Sequence, residues 1–150
     1  MENAQTAASG KAPTHLWIVG ILSLLWNCIG GYDYVMSRTG GVAYFESVGL
    51  DQAAYDWMQA MPVWASAAWA IGVWLSVIGS ILLLARSRHA ATAFLVSLVG
   101  ALVSFAYQFL SERPASLEGG MATIMPIVIA VLVLAQWWYA RWMAEKGALR

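Results

Sequence analysis

Four apolar runs, each long enough to cross a bilayer, dominate this sequence: residues 16–36, 63–85, 90–110 and 121–143. About 30 Å of hydrocarbon is spanned by about 20 residues rising about 1.5 Å each. The last three runs carry no charge before their ends, and the first carries only Asp33, near its boundary. Hydrocarbon offers no partner for backbone N–H and C=O groups, so a spanning segment bonds to itself as a helix or closes into a barrel. Barrel strands alternate polar and apolar residues at every second position, which these runs do not do. The sequence therefore predicts four transmembrane helices.

The charge inventory agrees. Eight basic and eight acidic residues among 150 make 11% charged, where a soluble domain needs roughly a quarter. A net charge of zero supplies no basic field for nucleic acid, so none is expected as a partner. One cysteine, Cys28, excludes an internal disulfide framework and any multi-cysteine metal site. No small-x-small cleavage site follows the first run, where Gly30-Gly31-Tyr32-Asp33-Tyr34 stands instead, so it reads as a retained helix rather than a signal peptide. The Ala/Ser/Thr-rich segment 1–15 reads as a disordered tail, and 144–150 as a second tail.

Orientation follows from the basic residues. With the N-terminus inside, the cytoplasmic segments hold Lys11, Arg86, Arg88, Arg141, Lys146 and Arg150, and the other side holds Arg38 and Arg113. That bias predicts both termini cytoplasmic. Trp17, Trp137, Trp138, Tyr139 and Trp142 mark the inner interface, and Tyr32, Tyr34, Trp57, Trp64, Tyr107 and Phe109 the outer one.

Helices in lipid associate through close packing and hydrogen bonds, so small residues mark contacts. The second span has Ala68, Gly72, Ser76 and Ser80 at four-residue spacing. The third has Ser97, Gly100, Ala101, Ser104 and Gln108 on one face, and the first has Gly20, Ser23, Asn27, Gly31 and Tyr34. Only Arg86, Ser87, Arg88 and His89 separate the second and third spans. They are expected to form an antiparallel hairpin meeting at Gly72, Ser76, Ser97 and Ala101. In the first outer loop, 37–62, apolar residues recur at Leu50, Ala53 or Ala54, Trp57 and Met61. This predicts a short helix on the outer membrane surface or capping the bundle, ended by Pro62. The expected fold is an all-α integral membrane protein, an antiparallel four-transmembrane-helix bundle with one short interfacial helix.

The residues do not assemble into a catalytic set. His15 and His89 lie at the expected inner edge and most acids at the outer one, so no nucleophile, base and carboxylate converge. Axial haem ligands at depth are also missing. No catalytic residue, metal or cofactor is expected. Asn27, near mid-membrane, and Gln108 are the notable polar groups within spans. With Tyr34, Ser104 and Tyr107 they either line a small polar cavity open to the outer side or bond helices together. Asp33 is either a site for a cation, a proton or a sugar hydroxyl, or a rim acid paired with Arg38.

Leu25-Trp26-Asn27, Gly30 and Asp33-Tyr34-Val35-Met36, followed by Pro62, Trp64, Trp69-Ala70, Gly72-Val73-Trp74, Gly79-Ser80, Leu82-Leu83-Leu84 and then Phe94 and Ser97-Leu98, resemble a family of small bacterial membrane proteins. Members of that family often carry the label of sugar transporter without an established activity. The resemblance implies the bacterial inner membrane and a site drawing on Asn27, Asp33, Trp64 and Trp69, to which Tyr34, Tyr107 and Gln108 are spatial candidates. Two classes of function follow: a small-solute transporter or binder with an outward polar site, sugars being among the candidate solutes, and a non-catalytic accessory or scaffold subunit of a membrane complex. The lipid bilayer is the expected partner in both, with a homo-oligomer or a larger complex around it.

The topology is directly testable. Cysteines placed at Ser47 and Ser116 are expected to react with a membrane-impermeant thiol reagent in intact cells. A cysteine at Ser87 is expected to stay silent, and its labelling in place of the other two would reverse the orientation.

Overall fold

The computed structural model describes residues 11–150, so the tail expected over 1–15 falls largely outside the described residues. The described chain is helical throughout, without strands: α1 Thr14–Thr39, α2 Gly41–Ser47, α3 Gln52–Gln59, α4 Val63–Leu84, α5 His89–Leu110, a 3-10 turn Ala115–Leu117 and α6 Gly120–Glu145. Four of these, α1, α4, α5 and α6, are long and apolar enough to cross a membrane. The chain is a multi-pass membrane protein whose spans form an all-α bundle.

The bundle is built around the α4–α5 hairpin, with α1 docked on α4 and α6 on α5. Its tightest seam is where the small residues fall. A Cβ on Gly72 would lie 2.9 Å from the Ala101 backbone nitrogen, and one on Gly100 would lie 2.8 Å from the Ala68 carbonyl. Ser97 Oγ donates to the Gly72 carbonyl at 2.5 Å across the same seam. Gly72, Ser97 and Ala101 thus meet where they were expected. Ser76 differs: it turns its carbonyl to Asn27 of α1, because a step of four residues rotates about 40° round a helix and carries the row toward the next neighbour.

We call the α4–α5 turn side of the bundle the hairpin end and the opposite side the cap end. At the hairpin end α4 closes with Arg86 in the left-handed region at φ 59°. Ser87 N–H bonds back to the Leu82 carbonyl at 2.8 Å, the terminator usually built on glycine. The chain after α6 is no free tail. It turns at Gly147, φ 72°, and pairs with the turn through Arg150 N–H to Arg86 C=O (2.7 Å) and Arg88 N–H to Arg150 C=O (2.8 Å). Leu149 is buried there with Leu16, Leu83, Phe94 and Met143. The expectation of a tail over 144–150 missed this because a lone apolar residue in a short polar stretch carries no periodicity.

At the cap end the loop expected to hold one helix holds two, and α1 itself continues to Thr39. Gly40 makes the corner into α2, where a Cβ would lie 2.8 Å from the Met36 carbonyl. In α3, Asp51 is the N-cap, accepting from Ala54 N–H at 2.9 Å and from the Ser116 hydroxyl at 2.7 Å. The Ser116 bond first, then the Ala54 N–H, hold its carboxyl below the ordinary range. Ala54 is fully buried and Gln59 donates to the Ser37 carbonyl at 3.2 Å, so α3 caps the bundle. Pro126 lies inside α6.

The α4–α5 seam tolerates no added volume. Gly72→Leu is expected to drive the backbones apart and cost at least about 2 kcal/mol, read as a lower midpoint of thermal unfolding in detergent. Ile78→Leu, on an outward-facing position of the same helix, is the neutral control; equal stability of both variants would mean the seam is not rigid.

Candidate functional site

Near the middle of the bundle Asn27 reaches from α1 into a polar network that no charge supports. Its two Nδ2 hydrogens are shared among three acceptors, the Ser76 carbonyl at 3.0 Å, Ser80 Oγ at 2.9 Å and Gln136 Oε1 at 3.2 Å. Ser80 Oγ donates in turn to the Ser76 carbonyl at 3.0 Å. A backbone carbonyl only accepts, so it fixes which way the Asn27 amide faces, and Asn27 then fixes Gln136. The network ties α1, α4 and α6 together. Gln136 and Ser80 were absent from the expected site, although Gln136, a lone amide in an apolar run, carried the same sequence signal as Asn27.

Above this network, toward the cap end, the four helices enclose a cavity of about 300 Å³. Asn27 and Ser76 form its polar floor, and Asp33 stands at its other extremity. Between them the walls are Trp26, Ile29 and Gly30 of α1, Trp69, Gly72 and Val73 of α4, Ala101 and Phe105 of α5, and Met125, Ile129 and Val133 of α6. The small residues that let α4 and α5 approach thus also leave the space beside them.

The cavity gathers only part of the expected set. Asn27, Asp33 and Trp69 line it. Tyr34 stands behind Trp69, edge to face at 4.8 Å, and also meets Trp74 at 6.0 Å. Trp64, Tyr107 and Gln108 belong elsewhere. Tyr107 is stacked on Trp57 of α3 at 5.9 Å and meets the edge of Trp64 at 5.5 Å, while Gln108 donates to Ser104 Oγ at 3.3 Å on its own helix. Through Tyr107 the aromatic residues fasten α3 to α5 and α5 to α4. Membrane depth, legible in the sequence, placed them level with Asp33; the rotations of α4 and α5 that turn them away were not legible.

Asp33 is not paired with Arg38. Its Oδ1 accepts from the Tyr44 hydroxyl of α2 at 2.6 Å, and Arg38 lies over the Trp69 ring at 5.2 Å. Burial, and then the bond to Asp33 and its charge, push the Tyr44 hydroxyl above its ordinary range, so it remains a donor. A second groove, of about 450 Å³, lies between α1 and α6 toward the hairpin end, lined among others by Val19, Leu22, Trp26, Gln136 and Tyr139. His15 Nδ1 and the Tyr139 hydroxyl, 2.5 Å apart, bridge the same two helices near α1's start. Compared with protein-family models, with curated proteins and with solved structures, the chain matches none.

Asn27→Leu is expected to leave the Gln136 amide without its partner and to cost about 1–2 kcal/mol. The readout is thermal unfolding in detergent, with Gln136→Leu as companion. Because the two share one bond, the double variant is expected to lose less than the sum; strict additivity would mean the network carries no coupling.

Proposed function

We propose that this protein is a non-catalytic binder, and through binding a transporter, of a small solute at the bacterial inner membrane. Both termini are cytoplasmic in this reading, and the Asp33 end of the cavity faces outward. The observation that carries it is the cavity itself, bounded by all four spans, with a carboxylate at one extremity and an amide at the other. Pockets of about 300–1,000 Å³ with a few polar groups in an apolar wall are the usual form of small-molecule sites. The family resemblance points the same way.

The lining favours a solute with an apolar body and one or two hydrogen-bonding groups over a free sugar. Trp26 and Trp69 suit a sugar ring, but Asn27 already spends its Nδ2 on protein acceptors. A hexose buried here would leave most hydroxyls unpartnered, at about 1–3 kcal/mol each. The accessory-subunit reading draws only on the outward apolar rows, such as Ile18, Ile21 and Leu25, and lipid alone accounts for those.

Gly30 provides the test, since a Cβ there meets nothing within 4 Å and a longer side chain grows into the cavity it lines. A panel of small solutes is screened by thermal shift on the purified parent. Gly30→Leu is expected to fold and lose the response of any hit. Asp33→Asn is expected to fold and bind about tenfold or more weakly, the worth of a hydrogen bond to a charged group. A hit whose affinity survives Gly30→Leu, or a panel without hits, would remove the cavity as a solute site.

A further inference from the structure

The spans are joined in series, α1 to α4, α4 to α5 and α5 to α6, while the closing pair, α1 and α6, has no broad backbone contact. Side chains bridge that seam, chiefly Asn27 to Gln136 and His15 to Tyr139. The cavity and the second groove both lie along it, and Trp26 lines both. Together they follow α1 from Val19 to Asp33, 14 residues or about 21 Å of helix. The seam lies between two apolar spans, where a bilayer puts hydrocarbon rather than water. Its occupant must be thin, because the cavity lies behind the α1 and α6 side chains and a helix about 10 Å across does not pass between them.

The polar extremity specifies a headgroup. Asp33 lines that extremity, while Arg38, five residues on and about 140° round α1, is outside the lining and covers Trp69. Neither has an ion-pair partner among the described residues: Asp33 takes the Tyr44 hydroxyl and Arg38 lies on Trp69. The cavity thus ends at an anion that no cation of the described residues neutralises.

We propose that the seam between α1 and α6 admits a bilayer phospholipid with a zwitterionic amine headgroup, one acyl chain entering the cavity sideways between the two helices. The ammonium donates to Asp33, and the chain packs on Ile29, Gly30, Ile129 and Val133 down to the Asn27 floor. This deepens the solute reading above by naming the ligand class, and it rests on that reading.

The test uses the full chain, delipidated in nonionic detergent, with short-chain phosphatidylethanolamine, phosphatidylcholine or phosphatidylglycerol at equal mole fraction. Bound lipid is counted by native mass spectrometry. The parent is expected to retain one phosphatidylethanolamine, favoured about tenfold over phosphatidylglycerol, which lacks the cation, and over phosphatidylcholine, which lacks the N–H donors. Asp33→Asn is expected to erase that preference, and Gly30→Leu to abolish retention. Ile129→Phe fills the same space from α6 and replaces Gly30→Leu should that variant not fold. Equal retention of the three headgroups, or phosphatidylethanolamine surviving both cavity-filling variants, overturns the proposal. A water-soluble hit lost in Gly30→Leu without any headgroup preference overturns it while leaving the solute reading standing; indifference of every probe to the filling variants ends both.

Discussion

Because lipid surrounds this bundle with a solvent as apolar as its own side chains, burial of leucine gives almost no drive to association, and the contact between α4 and α5 must come from proximity instead. Gly72 and Gly100 supply it. With no Cβ at either position the two backbones approach closely enough for Ser97 to donate across the seam to the Gly72 carbonyl. Dispersion and one short hydrogen bond then replace the hydrophobic effect as the source of cohesion. The other two spans are placed by reference to this pair, α1 against the outer face of α4 and α6 against that of α5.

That arrangement has a geometric consequence at the closing seam. Two helices in close contact hold their outer neighbours apart unless large side chains fill the gap, and the facing positions on α4 and α5 are Gly72, Ser76 and Ala101. The space is left as the cavity. Asn27 and Gln136 stop it from collapsing, since their shared bond sets the separation of α1 and α6 at mid-depth. An amide pair suits that task better than an ion pair: it needs no counter-charge in hydrocarbon, and its cost when unpaired is smaller than that of a bare charge.

The spans, the hairpin and its small-residue contact were legible because each rests on a local rule: length and polarity for a span, a short link for a hairpin, and a step of four for a packing stripe. What the sequence could not supply was rotation. Asn27, Gln108, Tyr34 and Tyr107 lie on stripes that locate them in depth but leave open which neighbour each stripe faces. A rotation of about 100° per residue separates a cavity position such as Asp33 from its neighbour Tyr34, which stands behind Trp69. The same gap hid Gln136, whose partner sits more than a hundred positions earlier. The docking of Leu149 on the hairpin end was hidden by brevity, because three residues show no period.

The cap end bears on how Asp33 keeps its geometry. Gly40 turns the chain so that α2 folds back over the α1 terminus and brings the Tyr44 hydroxyl to Asp33. Desolvation and the carboxylate together keep that hydroxyl protonated, so it serves as a fixed donor to one oxygen. The α3 cap is fastened separately, by Asp51 to Ser116 and by Trp57 on Tyr107, in contacts that share no residue with the cavity lining. The two fastenings meet in α2, whose Phe45 packs on Tyr55 of α3, so loosening α3 would also loosen the hold on the carboxylate. Loss of the Tyr44 hydroxyl would free the carboxylate while leaving the cap in place. The orientation of Asp33 therefore depends on α2, a seven-residue helix anchored through Phe45, which is buried against Tyr55 of α3 at 5.4 Å.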